Sequence, residues 1–381
     1  MVGILEAFRD WQERRTILRE IRQQKVDTNE RLRFHVRDIL TLALDALERD
    51  DKPYAERAWT GALRDYPDLA RASPLAFPLL LGLRRLDEAE ALMQRGLKDH
   101  PNDTKYPVGL GQISEARHDV DEADKRWGFV RKRFPGVITG YTGGASALAD
   151  KGQIKEAEAL AMLAIKRFPD DLGGFLVMAR LAVKQNDWES ALSWYTTISD
   201  QFAYVGGFTG AAEMLCKLGR FDDADALMSA ARLRFGTDPG PIVQYAKTAE
   251  ARGDTTEAIT RWKMVLQRFP LNMHVHFGAA EAFERLGEPA EAEAALRAAV
   301  ERFETEERPM VELAKYFHFQ RHDSLAAAEA WAQLRGVFHD NQEAYTRGAD
   351  ALSDAGRHEE AEALRAEHHA RFVAASNSTQ T

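Results

Sequence analysis

An aromatic residue, once replaced by histidine, recurs along this chain at Tyr66, His100, Phe134, Phe168, Phe202, Phe235, Phe269, Phe303, Phe338 and Phe372. The steps are 34 residues, except for one of 33 and one of 35. Proline follows at Pro67, Pro101, Pro135, Pro169 and Pro270. An alanine keeps the same beat at Ala55, Ala89, Ala123, Ala157, Ala191, Ala224, Ala258, Ala292, Ala327 and Ala361. Two registers held over ten units define a repeat architecture, in which each unit packs on its neighbours and the chain grows by stacking. The repeat overrides what length alone suggests, since 381 residues would otherwise read as two or three domains.

Residues 138–171 show the physics of one unit. The pattern predicts a first helix over Ile138–Asp150, a turn at Gly152 and a second helix over Ile154–Phe168. Pro169 stops the second helix, because proline lacks an N–H and restricts the residue before it. Ala157 and Ala164 share one helical face, where their small side chains admit the first helix. Tyr141 and Leu148 supply bulk on the facing side. Lys166 and Arg167, like Arg131, Lys132 and Arg133 one unit earlier, crowd the end of the second helix, where cations complement the helix dipole. These basic clusters read as helix-end charges, not as a nucleic-acid patch.

The 34-residue, two-helix unit resembles the tetratricopeptide repeat. The resemblance is carried by a small residue in the first helix (Ala145, Ala179, Ala212, Ala246, Ala280 and Ala349), by the alanine series, by a large residue in the second helix (Trp59, Trp127, Tyr195, Trp262 and Trp331) and by the prolines. The chain departs from the pattern where proline is missing after Phe202, Phe235, Phe303 and Phe338, and where glycine at the small-residue position of the first helix survives only as Gly111. The resemblance spans about residues 36–372. It implies an all-α fold, a right-handed α-solenoid of stacked antiparallel helix pairs. It also implies a non-enzymatic scaffold or adaptor that takes a protein or peptide in a concave groove lined by the first helices. Projected onto this chain, that groove holds Gln112, Arg180, Lys184, Glu213 and Lys217, then Lys247, Glu250, Glu281, Arg285 and Lys315. Arg180, Lys184, Lys217 and Lys247 make the centre basic and the stretch beyond is more acidic, a pattern suited to reading a partner by complementary charge.

Composition narrows the rest. Net charge is −9 and the sequence pI about 5.7, which gives no general attraction to nucleic acid. Cys216 is the sole cysteine, so no intrachain disulfide forms, and no base is positioned to make it a nucleophile. The start lacks the apolar core of a secretory signal, and no stretch is long and apolar enough to span a bilayer, so a cytoplasmic location is expected. No metal or other cofactor is expected. His318 and His322 are spaced to share a helical face, but neither they nor His274, His276, His368 and His369 belong to a ligand set of known spacing. The recurring Glu-Ala pairs follow the repeat and read as helix-start acids. The glycine doublets, among them Gly173-Gly174 and Gly206-Gly207, match no phosphate loop.

Outside the clear repeats, residues 1–35 form a segment of their own, and residues 373–381 read as a disordered tail. Ile4, Phe8, Trp11, Leu18 and Ile21 recur at helical spacing among arginines, which predicts an amphipathic helix capping the first repeat. Self-association and weak membrane-surface contact are its other possible roles. An alternative function, as an accessory or regulatory subunit of a bacterial envelope or glycan-assembly system, rests on that contact. The second unit carries Pro74 and Pro78 where its first helix belongs, so that helix is bent there or replaced by an irregular segment. The 35-residue step places one extra residue near the turn of the ninth unit, about 307–341.

Overall fold

The computed structural model describes residues 30–48 and 52–373, so the expected helix over residues 1–30 and the tail after 373 lie outside the described residues. The chain divides into two compact units, Met1–Phe168 and Pro169–Thr381. Among the described residues both are helical throughout, with no strand.

In the first unit, α1 runs over 30–48, through the expected boundary at residue 35. It is followed by α2 (Lys52–Asp65), α3 (Pro67–Ala72), α4 (Ala76–Gly82), α5 (Leu86–Asp99), α6 (Lys105–Ala116), α7 (Val120–Arg133), α8 (Thr139–Asp150) and α9 (Ile154–Arg167). The prolines of the second repeat break its first helix into α3 and α4. Ser73 ends α3 in an extended conformation, and Pro78 falls in the first turn of α4, where a missing N–H leaves no bond unmade.

The second unit holds α10 (Gly173–Lys184), α11 (Trp188–Phe202), α12 (Val205–Lys217), α13 (Phe221–Arg234), α14 (Gly240–Arg252), α15 (Thr255–Arg268), α16 (Met273–Arg285), α17 (Pro289–Arg302), α18 (Glu307–Lys315), α19 (Ser324–Val337), α20 (Gln342–Asp354) and α21 (His358–His368). The extra residue of the ninth repeat is absorbed by a π-helical turn, Tyr316–Gln320, that continues α18. There the Arg321 N–H reaches the Tyr316 carbonyl at 3.0 Å, five residues back. A second π turn, His369–Val373, follows α21. The short step of 33 residues is taken in the link between α11 and α12. Phe202 stays helical there and Ala203 turns the chain in the left-handed region at φ 49°.

Each element of the repeat has a physical cause. The whole alanine series is buried, at no more than 2 % exposure, so the helices cross where the side chains are smallest. The link inside each pair places one residue in the left-handed region. Glycine serves at Gly152, Gly219, Gly253, Gly287 and Gly356, and Arg84, His118, Asn186 and His322 take the same position elsewhere. The recurring aromatic folds back onto a ring 27 residues earlier. Tyr141–Phe168, Phe175–Phe202, Phe208–Phe235, His276–Phe303 and Tyr345–Phe372 all meet edge to face, with centroids 5.2–6.2 Å apart. At Phe235 and Phe303 no proline follows, yet the backbone leaves the helix as it does at Phe168. The stop therefore does not need the proline at those two repeats.

The structure also reveals a period of two repeats. Asp119, Asp187, Asp254 and Asp323 each cap a second helix by accepting the N–H three residues on, at 3.0–3.1 Å. The intervening repeats have Gln153, Arg220, Glu288 and Arg357 there, with no side-chain cap. The bulky residue alternates in phase. Trp59, Trp127, Trp262 and Trp331 are fully buried in odd repeats, with Tyr195 in the fifth. The second, fourth, sixth and eighth repeats place Met93, Ala161, Met228 and Leu296 in that position, and the tenth places Arg365 there.

Candidate partner-binding face

The expected groove residues all lie on first helices. Gln112 sits half-buried on α6 of the first unit. The other nine are in the second unit: Arg180 and Lys184 on α10, Glu213 and Lys217 on α12, Lys247 and Glu250 on α14, Glu281 and Arg285 on α16, and Lys315 on α18. Arg180, Glu213, Lys247, Glu281 and Lys315 occupy one position of the repeat, 33 or 34 residues apart. Their charges alternate in sign from helix to helix, following the two-repeat period. The first four are exposed and Lys315 is half-buried. Helices α12 and α14 touch directly, so this face is continuous between them.

Side-chain partners divide the set. Among the described residues, Arg180, Glu213, Lys217, Lys247 and Glu281 make no ion pair. Glu250 is committed inward, where one oxygen accepts the Trp262 indole N–H at 2.5 Å and the other meets Arg285 Nη2 at 3.1 Å. Lys315 lies 3.3 Å from Glu343 on α20. Arg180 and Glu213 both act on the phenol of Tyr195. Burial raises its pKa first, Glu213 adds to that, and Arg180 opposes it.

Other charged groups form internal wiring. Arg261 is 5 % exposed. Its Nε donates to Glu257 at 2.7 Å, its Nη1 to the Tyr245 carbonyl at 2.8 Å, and its two terminal nitrogens grip Asp225 at 2.6 and 3.0 Å. Burial works against its charge, but Asp225 and then Glu257 outweigh that and hold its pKa above the ordinary arginine value. Arg126, four repeats earlier, makes the same bonds to Glu122, to the Leu110 carbonyl and to Glu90. The neighbouring Trp127 indole donates to Glu115 at 2.9 Å, as Trp262 does to Glu250. The sequence placed Glu250 on the groove face but gave no sign of this clasp, because donor and acceptor lie on different helices of a pair.

The histidines and the cysteine are likewise structural in their surroundings. His318 is buried, with Nε2 3.3 Å from Asp354, while His322 occupies the left-handed turn, so the two do not share a face. His276 is buried between the carbonyls of Pro270 and Ala295. Burial pushes the Cys216 thiol pKa up, the Thr248 hydroxyl 3.6 Å away opposes it, and the thiol is thereby kept protonated. Among the described residues, no group of three or more His, Cys, Asp or Glu is placed to hold a metal ion, and no helix is long and apolar enough to cross a membrane.

Residues 244–307 match the family model described as tetratricopeptide repeat. No curated protein matches the chain. Among solved structures, a tetratricopeptide repeat protein from Parabacteroides merdae is 14 % identical, with 65 % of this chain and 98 % of that chain covered and a TM-score of 0.39. Yeast Tom70 is 12 % identical over 88 % of this chain and 91 % of its own, with a TM-score of 0.42. A chain of the APC/C hetero-tetramer Cut9–Hcn1 is 14 % identical over 78 % of this chain and 59 % of its own, with a TM-score of 0.40. The family match covers most of the seventh and eighth repeats, and their buried alanine, left-handed link and second-helix stop recur at the same spacing through the described residues, so the likeness to the tetratricopeptide repeat shown at 244–307 extends along the described chain as a repeat pattern.

Proposed function

We propose that the chain is a non-enzymatic interaction scaffold that binds a segment of a partner protein along the first helices of its second unit. The observation that carries this reading is the column Arg180, Glu213, Lys247, Glu281 and Lys315, whose sign alternates at every step and whose first four members have no ion-pair partner within the described chain. Exposed charges held on rigid helices contribute little to folding. They suit recognition of a partner by charge register, which sets specificity and encounter rate more than raw affinity. Packed helices lie roughly 10 Å apart and an extended chain rises about 3.3 Å per residue, so a matching segment would change sign about every third residue.

The test is a column inversion, R180E/E213K/K247E/E281K/K315E, which reverses the pattern while changing net charge little. Circular dichroism confirms that the variant is folded, and a pull-down compares it with the intact chain. A partner held by the intact chain and lost by the inverted column supports the reading. A partner held equally by both places recognition elsewhere and overturns it.

A further inference from the structure

One position near the end of the second helix is occupied by arginine in three repeats, and one of the three is handled differently. Arg131 Nη1 donates to the Gly140 carbonyl at 2.9 Å, and Arg335 Nη1 donates to the Ala344 carbonyl at 2.9 Å. Each guanidinium lies over a glycine 13 residues on, Gly144 or Gly348, where a methyl group would run into it. At the corresponding place facing Arg232 the chain has Tyr245. The Arg232 guanidinium lies 4.6 Å from the Tyr245 ring centroid and its Nη2 lies 3.9 Å from Met264 Sδ. Among the described residues it makes neither the carbonyl bond of its counterparts nor an ion pair. With tyrosine in that place, the guanidinium packs beside the ring and the Met264 sulfur instead of on the carbonyl.

Arg232 lines a cleft of about 420 Å³ between α13, α14 and α15. Arg268 also lines this cleft, and among the described residues it is held only by a 3.4 Å bond to the Gly236 carbonyl, without a carboxylate partner. Phe235, Ile242 and Phe269 supply apolar lining, and Leu233 belongs to the same lining yet is 89 % exposed. Asp238 is the one carboxylate present, and one of its oxygens accepts the Gly240 N–H at 2.7 Å, which leaves the other open.

We propose that this cleft is a second binding site, independent of the charge column, for an extended partner-protein segment that carries an acidic side chain next to an apolar one. Arg232 and Arg268 take the carboxylate in charge-assisted bonds. The apolar neighbour lies against Leu233 and the phenylalanines, where its removal from water adds affinity. Asp238 repels a bare anion but accepts a backbone N–H, a donor that a peptide has and a lipid phosphate lacks.

The test uses the full chain and an array of nine-residue peptides, each with one Glu flanked by Leu, Ile or Phe, beside the same array with Gln in place of Glu. Hits are titrated by fluorescence anisotropy. The expected result is binding that prefers the Glu peptides and weakens at least tenfold in Arg268→Glu and measurably in Leu233→Asp, both exposed positions that leave the circular dichroism unchanged. Equal binding of Glu and Gln peptides, no binding by the intact chain, or unaltered affinity in Arg268→Glu each overturns the proposal. So does binding to phosphatidylglycerol vesicles that Arg268→Glu abolishes while no peptide binds.

Discussion

The contact between Arg131 and Gly144 allows a mutation to change sign with its background. In the intact chain, Gly144→Ala forces the guanidinium off the Gly140 carbonyl, because a Cβ there meets its Nη1, while Leu160 at 3.1 Å has only to shift slightly. Losing a hydrogen bond from a charged group costs about 2 kcal/mol. Replacing glycine by alanine inside a helix returns about 1 kcal/mol. The net expectation for Gly144→Ala alone is about 1 kcal/mol of destabilisation. With Arg131→Ala already in place no guanidinium remains to displace, and the same substitution should stabilise by about 1 kcal/mol. The coupling is then about 2 kcal/mol, well above the error of a double-mutant cycle. Repeat arrays open locally, so the readout is hydrogen exchange of α7 and α8 followed by mass spectrometry, which reports their local opening free energy. An effect of Gly144→Ala that has the same sign and size in both backgrounds would refute the argument, and with it the account of why Arg232 lacks the carbonyl bond of its counterparts.

Two further predictions rest on the internal wiring. Arg261→Ala leaves Glu257 and the Tyr245 carbonyl unpaired, although Asp225 keeps Arg252 at 2.9 Å, so the local stability of α14 and α15 should fall by about 3 kcal/mol in the same exchange measurement; no change would show that the network is ornamental. Glu90 gives a pH dependence. Burial is the largest influence and raises its pKa, but Arg117 and Arg126 together overcome it and hold the carboxyl below the ordinary glutamate range. A lowered folded pKa means stability that is full above the unfolded value of about 4.3 and lost as pH falls through the folded one. Protection of α5 and α6 should therefore drop on acidification below about pH 4, and Glu90→Gln should be weaker at neutral pH and flatter across that range.

The sequence revealed the framework because its causes are local and repeated. Helix ends, the buried alanines and the glycine links each depend on one or two residues at a fixed phase. What escaped it depends on pairs. The left-handed positions at Arg84, His118 and His322 carry no glycine to announce them. The π turn at Tyr316–Gln320 was legible as a surplus residue, but the structure takes it up inside the helix and not in the link. Among the expected groove residues, sequence register assigned first-helix positions, and the structure has them on those helices. Register could not separate Glu250, clasped by Trp262 and Arg285, from Lys247 three residues earlier, because that distinction is made by residues 12 and 35 positions away.

The alternation of capped, tryptophan-bearing repeats with uncapped, smaller ones has a consequence for how such a chain can change length. The heritable module is the pair, not the single 34-residue unit. Loss or duplication of one unit would set two repeats of the same kind in succession, and within the column of first-helix residues it would bring two like charges together. Loss or duplication of a pair preserves both phases. The matching bonds of Arg126 and Arg261 lie two pairs apart, in phase with that module. One of those bonds ends on a main-chain carbonyl, so it is the same whether leucine or tyrosine supplies it.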